Sequence, residues 1–160
     1  MNPSPSASWK IERAGGRTRV ELSGQFDENV DLRALKQELH GEVEFDLAGV
    51  VRVNSTGIRA WVDLVHDLPS VTALIYSRCS PAIVTQLNTI YNFRGPARVA
   101  SILAPYICEA CSIEEFELID LTGQAAGART EAPVFHCRRC GGEMAFDDLP
   151  ERYFSFLKES

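Results

Sequence analysis

The sequence predicts an α/β fold, a mixed β-sheet with helices packed against it, followed by a small C-terminal unit stapled by cysteines. Three observations lead there. Between residues 18 and 103, segments of strand-like and helix-like apolar spacing alternate. Beyond Pro105 two Cys-x-x-Cys pairs appear. The charge shifts at the same place: residues 1–107 hold 11 basic and 11 acidic side chains, residues 108–160 hold 5 and 11, so the C-terminal stretch carries the whole net charge of −6. The expected division is 9–104 and 105–160.

Each element has its own signal. Residues 1–10 (MNPSPSASWK) are rich in Pro and Ser and read as a short tail. Residues 18–23 (TRVELS) alternate, with Val20 and Leu22 on one side, as a half-buried strand does. Leu32, Leu35 and Leu39 then recur at helical spacing behind the candidate caps Asp27 and Asn29, with Gly41 at the C-terminal stop. Residues 43–47 (VEFDL) form a second short strand. Ile58, Trp61, Val62, Val65 and Leu68 predict a helix opened by Asn54, Ser55 or Thr56 and closed before Pro69. Residues 71–76 (VTALIY) are a buried strand, and Ser80-Pro81 opens a helix carrying Val84, Leu87 and Tyr91. Residues 98–103 add a strand. In the second unit, residues 116–121 alternate as a strand and residues 122–133 read as a loop. Residues 147–157 read as a short capped helix with an acidic first turn.

Composition excludes several classes. A chain of 160 residues with 45% hydrophobic and 24% charged side chains is globular and buries about 70% of its unfolded surface. The acidic balance argues against nucleic acid or an anionic membrane as partner. Apolar runs such as Ala73-Leu74-Ile75-Tyr76 fall far short of the ~20 residues of a membrane span. The N-terminus shows no basic-then-apolar leader, so a reducing cytoplasm is expected, with the five cysteines not paired as disulfides. No GxSxG, phosphate-binding glycine loop or catalytic carboxylate pair occurs, so no catalytic residue is assigned and no enzyme is expected.

Cys108-Glu-Ala-Cys111 and Cys137-Arg-Arg-Cys140 are separated by 25 residues. Two such turns supply four thiolates in a tetrahedron, the donor set of a closed structural zinc site, here one zinc per chain in a zinc ribbon. Gly141 can supply the positive φ that a chain leaving such a turn needs, while Ser112 stands where a glycine is expected after the first pair. Arg138 and Arg139 could reach phosphate, which keeps a nucleic-acid-binding ribbon as a rival, against the surrounding acidic charge. Cys79 reads as an inert core thiol, and His40, His66 and His136 have no triad or metal spacing.

Phe45-Asp46-Leu47-Ala48-Gly49-Val50, followed by Val53-Asn54-Ser55-Thr56-Gly57-Ile58, resembles the STAS domain family, which includes bacterial anti-sigma-factor antagonists and cytoplasmic domains of sulfate transporters. Ser23-Gly24-Gln25-Phe26-Asp27 is similar to that family's early turn, and the likeness covers residues 9–104. The resemblance implies a STAS-like mixed sheet and a regulatory module that binds protein partners. It implies that Ser55, with Thr56 as the alternative, is phosphorylated by a partner anti-sigma factor that is also a serine kinase. The turn Asn54, Ser55, Thr56 and Gly57 would then be the contact surface. Asn54 replaces the usual Asp, and the cysteine-rich unit lies outside the usual domain. A scaffold or ligand-sensing module that never meets a kinase is the alternative.

Overall fold

The computed structural model describes residues 6–122 and 131–159. Residues 1–5 of the expected tail lie outside the described residues while Ser8–Lys10 belong to a strand, and the expected loop over 122–133 lies largely outside them. The molecule is mixed α/β, built on two sheets.

The first sheet has the order β1-β2-β3-β4-β5. β1 (Ser8–Ala14) and β2 (Arg17–Phe26) form an antiparallel hairpin. Its two turn residues, Gly15 and Gly16, both have positive φ, as a tight hairpin turn that follows the strand twist requires. β3 (Gly41–Val53), β4 (Val71–Ser77) and β5 (Arg98–Val99) follow in parallel. β3 is far longer than the expected 43–47: beyond a register shift near Ser23 it goes on pairing with β2, Gly49 opposite Ser23 and Val53 opposite Phe26.

Helix α1 (Arg33–Lys36) is a single turn, not the expected helix through Leu39. Asp27 does not cap it. Asp27 accepts from the Asn29 N–H at 2.9 Å, and Asp31 from the Arg33 N–H at 3.0 Å, local bonds that compete with helix. Gly41 opens β3, its N–H donating to the Ser70 carbonyl at 2.8 Å. Leu32, Leu35 and Leu39 are buried all the same.

α2 (Ser55–Val65) and α3 (Pro81–Thr89) are the two regular helices. The Ser80 hydroxyl caps α3 by accepting from the Ile83 N–H at 3.3 Å. Tyr91 lies beyond the end of α3 and is 91% exposed, where the sequence pattern placed it in the helix. The centre of the core is aromatic. Trp61 on α2 lies 5.2 Å from Phe45, 5.5 Å from Tyr76 and 5.7 Å from Phe93, centroid to centroid. Its Nε1–H donates to the Phe93 carbonyl at 3.1 Å, and the Tyr76 hydroxyl donates to the Arg94 carbonyl at 2.8 Å, so both polar tips are satisfied.

The expected strand over 98–103 divides at Ala100. β5 stays in the first sheet, and β6 (Ser101–Cys108) enters the second, running through the expected division at 104/105. The second sheet is antiparallel, with order β7-β6-β9-β8, where β7 is Glu114–Asp120, β8 Phe135–His136 and β9 Glu143–Phe146.

The C-terminal helix α4 (Pro150–Tyr153) has one turn and no side-chain cap, and continues as a 3-10 segment (Ser155–Glu159), in place of one longer capped helix. It is anchored on α3. Asn88 donates to the Tyr153 carbonyl at 3.0 Å and accepts from the Phe156 N–H at 2.8 Å. Arg94 donates to the Phe156 carbonyl at 3.0 Å. Buried residues from both sheets, Val20 through Phe156, make one continuous core. No helix among the described residues is long and apolar enough to cross a membrane.

Candidate metal centre and helix-start turn

Two hairpin-like turns bring the cysteines together. Cys108 ends β6, and its N–H donates to the Ile113 carbonyl at 2.9 Å while its carbonyl accepts from the Ser112 N–H at 2.7 Å. Between β8 and β9 the pattern repeats. The Cys137 N–H donates to the Gly142 carbonyl at 2.7 Å, and the Cys137 carbonyl accepts from the Gly141 N–H at 2.8 Å. Both turns need a left-handed residue at the same place: Gly141 has φ 77° and Ser112 has φ 63°. The sequence placed a glycine in the second turn, and the serine in the first carries the same backbone conformation.

The four sulfur atoms lie within 4.8 Å of one another and could hold a metal ion. Cys108 and Cys140 are 3.4 Å apart and Cys111 and Cys137 3.7 Å, sulfur to sulfur, well beyond the about 2.05 Å of a disulfide bond. All four are free thiols. Cys108 and Cys137 are buried, Cys111 is half-buried and Cys140 is exposed. The Cys111 N–H, ahead of the neighbouring sulfur of Cys140, draws the Cys108 thiol down to about 7. At Cys111 the Ile113 N–H pulls the other way, but burial and the adjacent sulfurs prevail and push that thiol up to about 11. His136 is exposed on β8 and does not join the cluster. Arg138 reaches the buried Glu117 carboxylate at 3.5 Å.

The second predicted site is the start of α2. Asn54 is the cap: its Oδ1 accepts from the Gly57 N–H at 3.0 Å, and its Nδ2 donates to Glu28 Oε2 at 3.1 Å. An Asp at 54 would turn the second contact into a repulsion between carboxylates, so Asn54 and Glu28 fit as a pair. Sequence reading missed Glu28, because nothing local marks a partner 26 residues away. Ser55 and Thr56 are exposed in the first helical turn, Asn54 is half-buried and Gly57 is buried. A Cβ on Gly57 would stand 2.1 Å from the Phe26 carbonyl oxygen, so the helix start rests directly on the end of β2.

Beside this turn a groove of about 650 Å³ runs between the segment carrying α1 and the outer side of α2. Glu28, Asp31, Arg33, Lys36, Asp63 and Asp67 give it a polar lining. Much of that charge is paired internally, Arg33 with Asp31 and Lys36 with Asp67.

Asp46 of the Asp-Leu motif is buried, gripped by Arg19 at 2.5 Å and Arg78 at 3.1 Å, and accepts from the Ala48 N–H at 3.1 Å. It ties β3 to Arg19 of β2 and to Arg78 just past β4, beside the register shift between Glu21 and Ser23. Cys79 is fully buried, and burial pushes its thiol far up, which makes it an inert core residue. His66 contacts the Asn92 carbonyl at 3.0 Å.

No protein-family model matches the chain, and no curated protein matches it in sequence. The likeness to the STAS family therefore rests on the residues of β2, β3 and the start of α2 themselves.

Proposed function

We propose that the chain is a cytoplasmic bacterial regulatory module that binds protein partners reversibly, in the manner of STAS-type anti-sigma-factor antagonists, and is switched by phosphorylation of Ser55. One observation carries the reading. Ser55 is exposed at the first position of α2, on a cap fixed from behind by Asn54 and Gly57. The first N–H groups of a helix have no intrahelical partner and sit at the positive end of its dipole. A phosphate there adds about −1.5 to −2 charge without moving the helix. The partner, an anti-sigma factor with serine kinase activity, then meets an altered surface rather than an altered fold. Thr56, also exposed, is the alternative acceptor.

In this reading Cys108, Cys111, Cys137 and Cys140 hold one structural zinc per chain. A tetrahedron with Zn–S bonds of about 2.3 Å has edges of about 3.8 Å, close to the sulfur separations of 3.4 and 3.7 Å. Four thiolates close the coordination shell, so zinc supplies fold stability and leaves no open position for chemistry. The acidic surroundings speak against the nucleic-acid-binding alternative.

The groove beside α2 favours one other reading, a ligand-sensing module that uses the same turn without phosphorylation. One experiment separates the two: partner capture from the native host with wild type, Ser55→Ala and Ser55→Asp. The phosphoswitch predicts that Ser55→Ala binds as wild type does and that Ser55→Asp loses the partner. Equal binding by all three defeats it and leaves the ligand-sensing or scaffold reading.

A further inference from the structure

The second sheet has an apolar outer face. Along β6 and β7 side chains alternate. Ile102, Ala104, Tyr106 and Ile119 are buried, while Leu103, Pro105, Ile107, Phe116 and Leu118 point to the other side. Phe116 is 62% and Leu118 51% exposed. The register sets Pro105 opposite Phe116, Leu103 opposite Leu118, and Ala145 of β9 opposite Ile107. These six residues therefore form one contiguous strip, and β7 lies at the edge of its sheet. The remaining outward positions include Glu114, Asp120 and Glu143, and no outward position of β6, β7 or β9 is Lys or Arg.

The outer face of the first sheet is the opposite. There Arg17 pairs with Glu42 at 2.7 Å and Arg19 with Glu44 at 2.6 Å, a ladder of mutually satisfied charges. The apolar strip is a local feature, and an exposed apolar patch with a polar rim is the mark of an interaction site.

We propose that this strip docks a segment of a partner protein that presents apolar side chains on one side and Lys or Arg at its flanks. The proposal rests on the reading of the chain as a protein-binding module and names the chemistry of the partner. Charge selects the occupant. Glu114, Asp120 and Glu143 give the rim three carboxylates against the single imidazole of His136 on β8 opposite Glu143, so basic flanks are drawn in and acidic ones repelled. A second copy of this chain brings the same acidic rim and a net charge of −6, and a nucleic acid brings phosphates; both meet like charge.

The test uses the full chain and two labelled amphipathic peptides that share one apolar face, one with Lys on the polar face and the other with Glu. Fluorescence anisotropy gives the affinities, and amide hydrogen exchange gives the footprint. The Lys peptide is expected to bind and to protect residues 103–107 and 114–120. The Glu peptide should bind about tenfold more weakly or worse. Phe116→Ser combined with Leu118→Ser should weaken the Lys peptide at least about tenfold, since a few central apolar anchors carry most of an interface. Both side chains are exposed, so metal content and thermal midpoint of that variant should stay as in wild type. Equal binding of the two peptides, a footprint elsewhere, or indifference to the double variant overturns the proposal. So does a homodimer in sedimentation that the double variant dissociates, which would name a second copy as the occupant. Ser55→Asp should bind the Lys peptide as wild type does, because Ser55 lies on α2 outside this sheet. A negative peptide result beside a Ser55-dependent partner removes the docking strip alone. A positive one beside Ser55-independent capture removes the phosphoswitch alone.

Discussion

The two sheets of this molecule are specified in different ways. The first is held by volume. Phe26, Phe45, Trp61, Tyr76 and Phe93 interlock between sheet and helices, and the sheet needs no cross-link. The second has four strands, two of them only two and four residues long, and four sulfurs converge at its far end. Its near end borrows the core of the first: Tyr106, Tyr153, Phe154 and Phe156 belong to the same buried cluster as Val20 and Trp61. The difference teaches that the C-terminal segment shares the core of the first sheet at one end and gathers four free thiols, a set that could hold a metal ion, at the other. A metal ion there would be the staple that small units burying too little apolar surface need.

Removing the staple should have the largest effect. Cys137→Ser, or chelation of the proposed zinc, takes away binding free energy of about 10 to 16 kcal/mol in small zinc units. We expect a metal ratio near zero and loss of amide protection in β8, β9 and the turns at Cys108 and Cys137. β2, β3 and β4 should keep theirs, because their aromatic core is intact. Simultaneous collapse of protection in both sheets would break the comparison, and show that the shared core makes the two ends one cooperative unit.

The reciprocal experiment is Gly57→Ala in the first unit. The added carbon meets the Phe26 carbonyl oxygen at 2.1 Å, so α2 or the end of β2 must shift, costing about 3 kcal/mol in a packed core. Thermal melting should show a lower midpoint with the metal ratio still near one. Asn54→Ala is milder, about 1 kcal/mol for a lost cap. It also leaves Glu28 without its amide partner, so Glu28→Gln should not add a full second loss in the double variant.

What the residues declare about themselves follows the same division. The cysteine cluster was legible because metal geometry is written in short spacing: two residues within each pair bring two sulfurs to one turn. A cap within Asn54, Ser55 and Thr56 and the proline-led start of α3 were legible because capping is local, but the choice of Asn54 among the three was not. β1 was missed although Trp9 and Ile11 alternate with polar neighbours and Gly15-Gly16 marks a hairpin, since the Pro- and Ser-rich beginning pulled the whole stretch toward a tail. The helix expected through Leu39 shrank to one turn because three well-spaced leucines can be buried by irregular chain as well as by a helix. The break at Ala100 depends on Tyr76 and Leu121, 24 and 21 residues away, and the anchoring of Tyr153 and Phe156 on Asn88 spans 65 and 68 residues, which periodicity does not carry.

The smallest effect separates the two cysteine turns from each other. They share one hydrogen-bond pattern, yet the left-handed position holds glycine in one and serine in the other. A left-handed conformation costs a residue with a Cβ roughly 1 to 2 kcal/mol, and glycine far less. Ser112→Gly therefore removes strain from the first turn. Glycine also gains freedom in the unfolded chain, which returns part of that benefit. The net expectation is a stabilisation of about 0.5 to 1 kcal/mol, confined to the second sheet and read as slower metal release to a chelator. Gly141→Ser should do the reverse by a similar amount, since it places a Cβ where the backbone has φ 77°. The pair of variants is more telling than either one. Opposite shifts of similar size mean that the two turns are equivalent and that the staple tolerates one strained half. If Ser112→Gly changes nothing while Gly141→Ser is costly, the strain at Ser112 is absorbed elsewhere. The exposure of Cys140 against the half-buried Cys111 would then be the property that distinguishes the two turns.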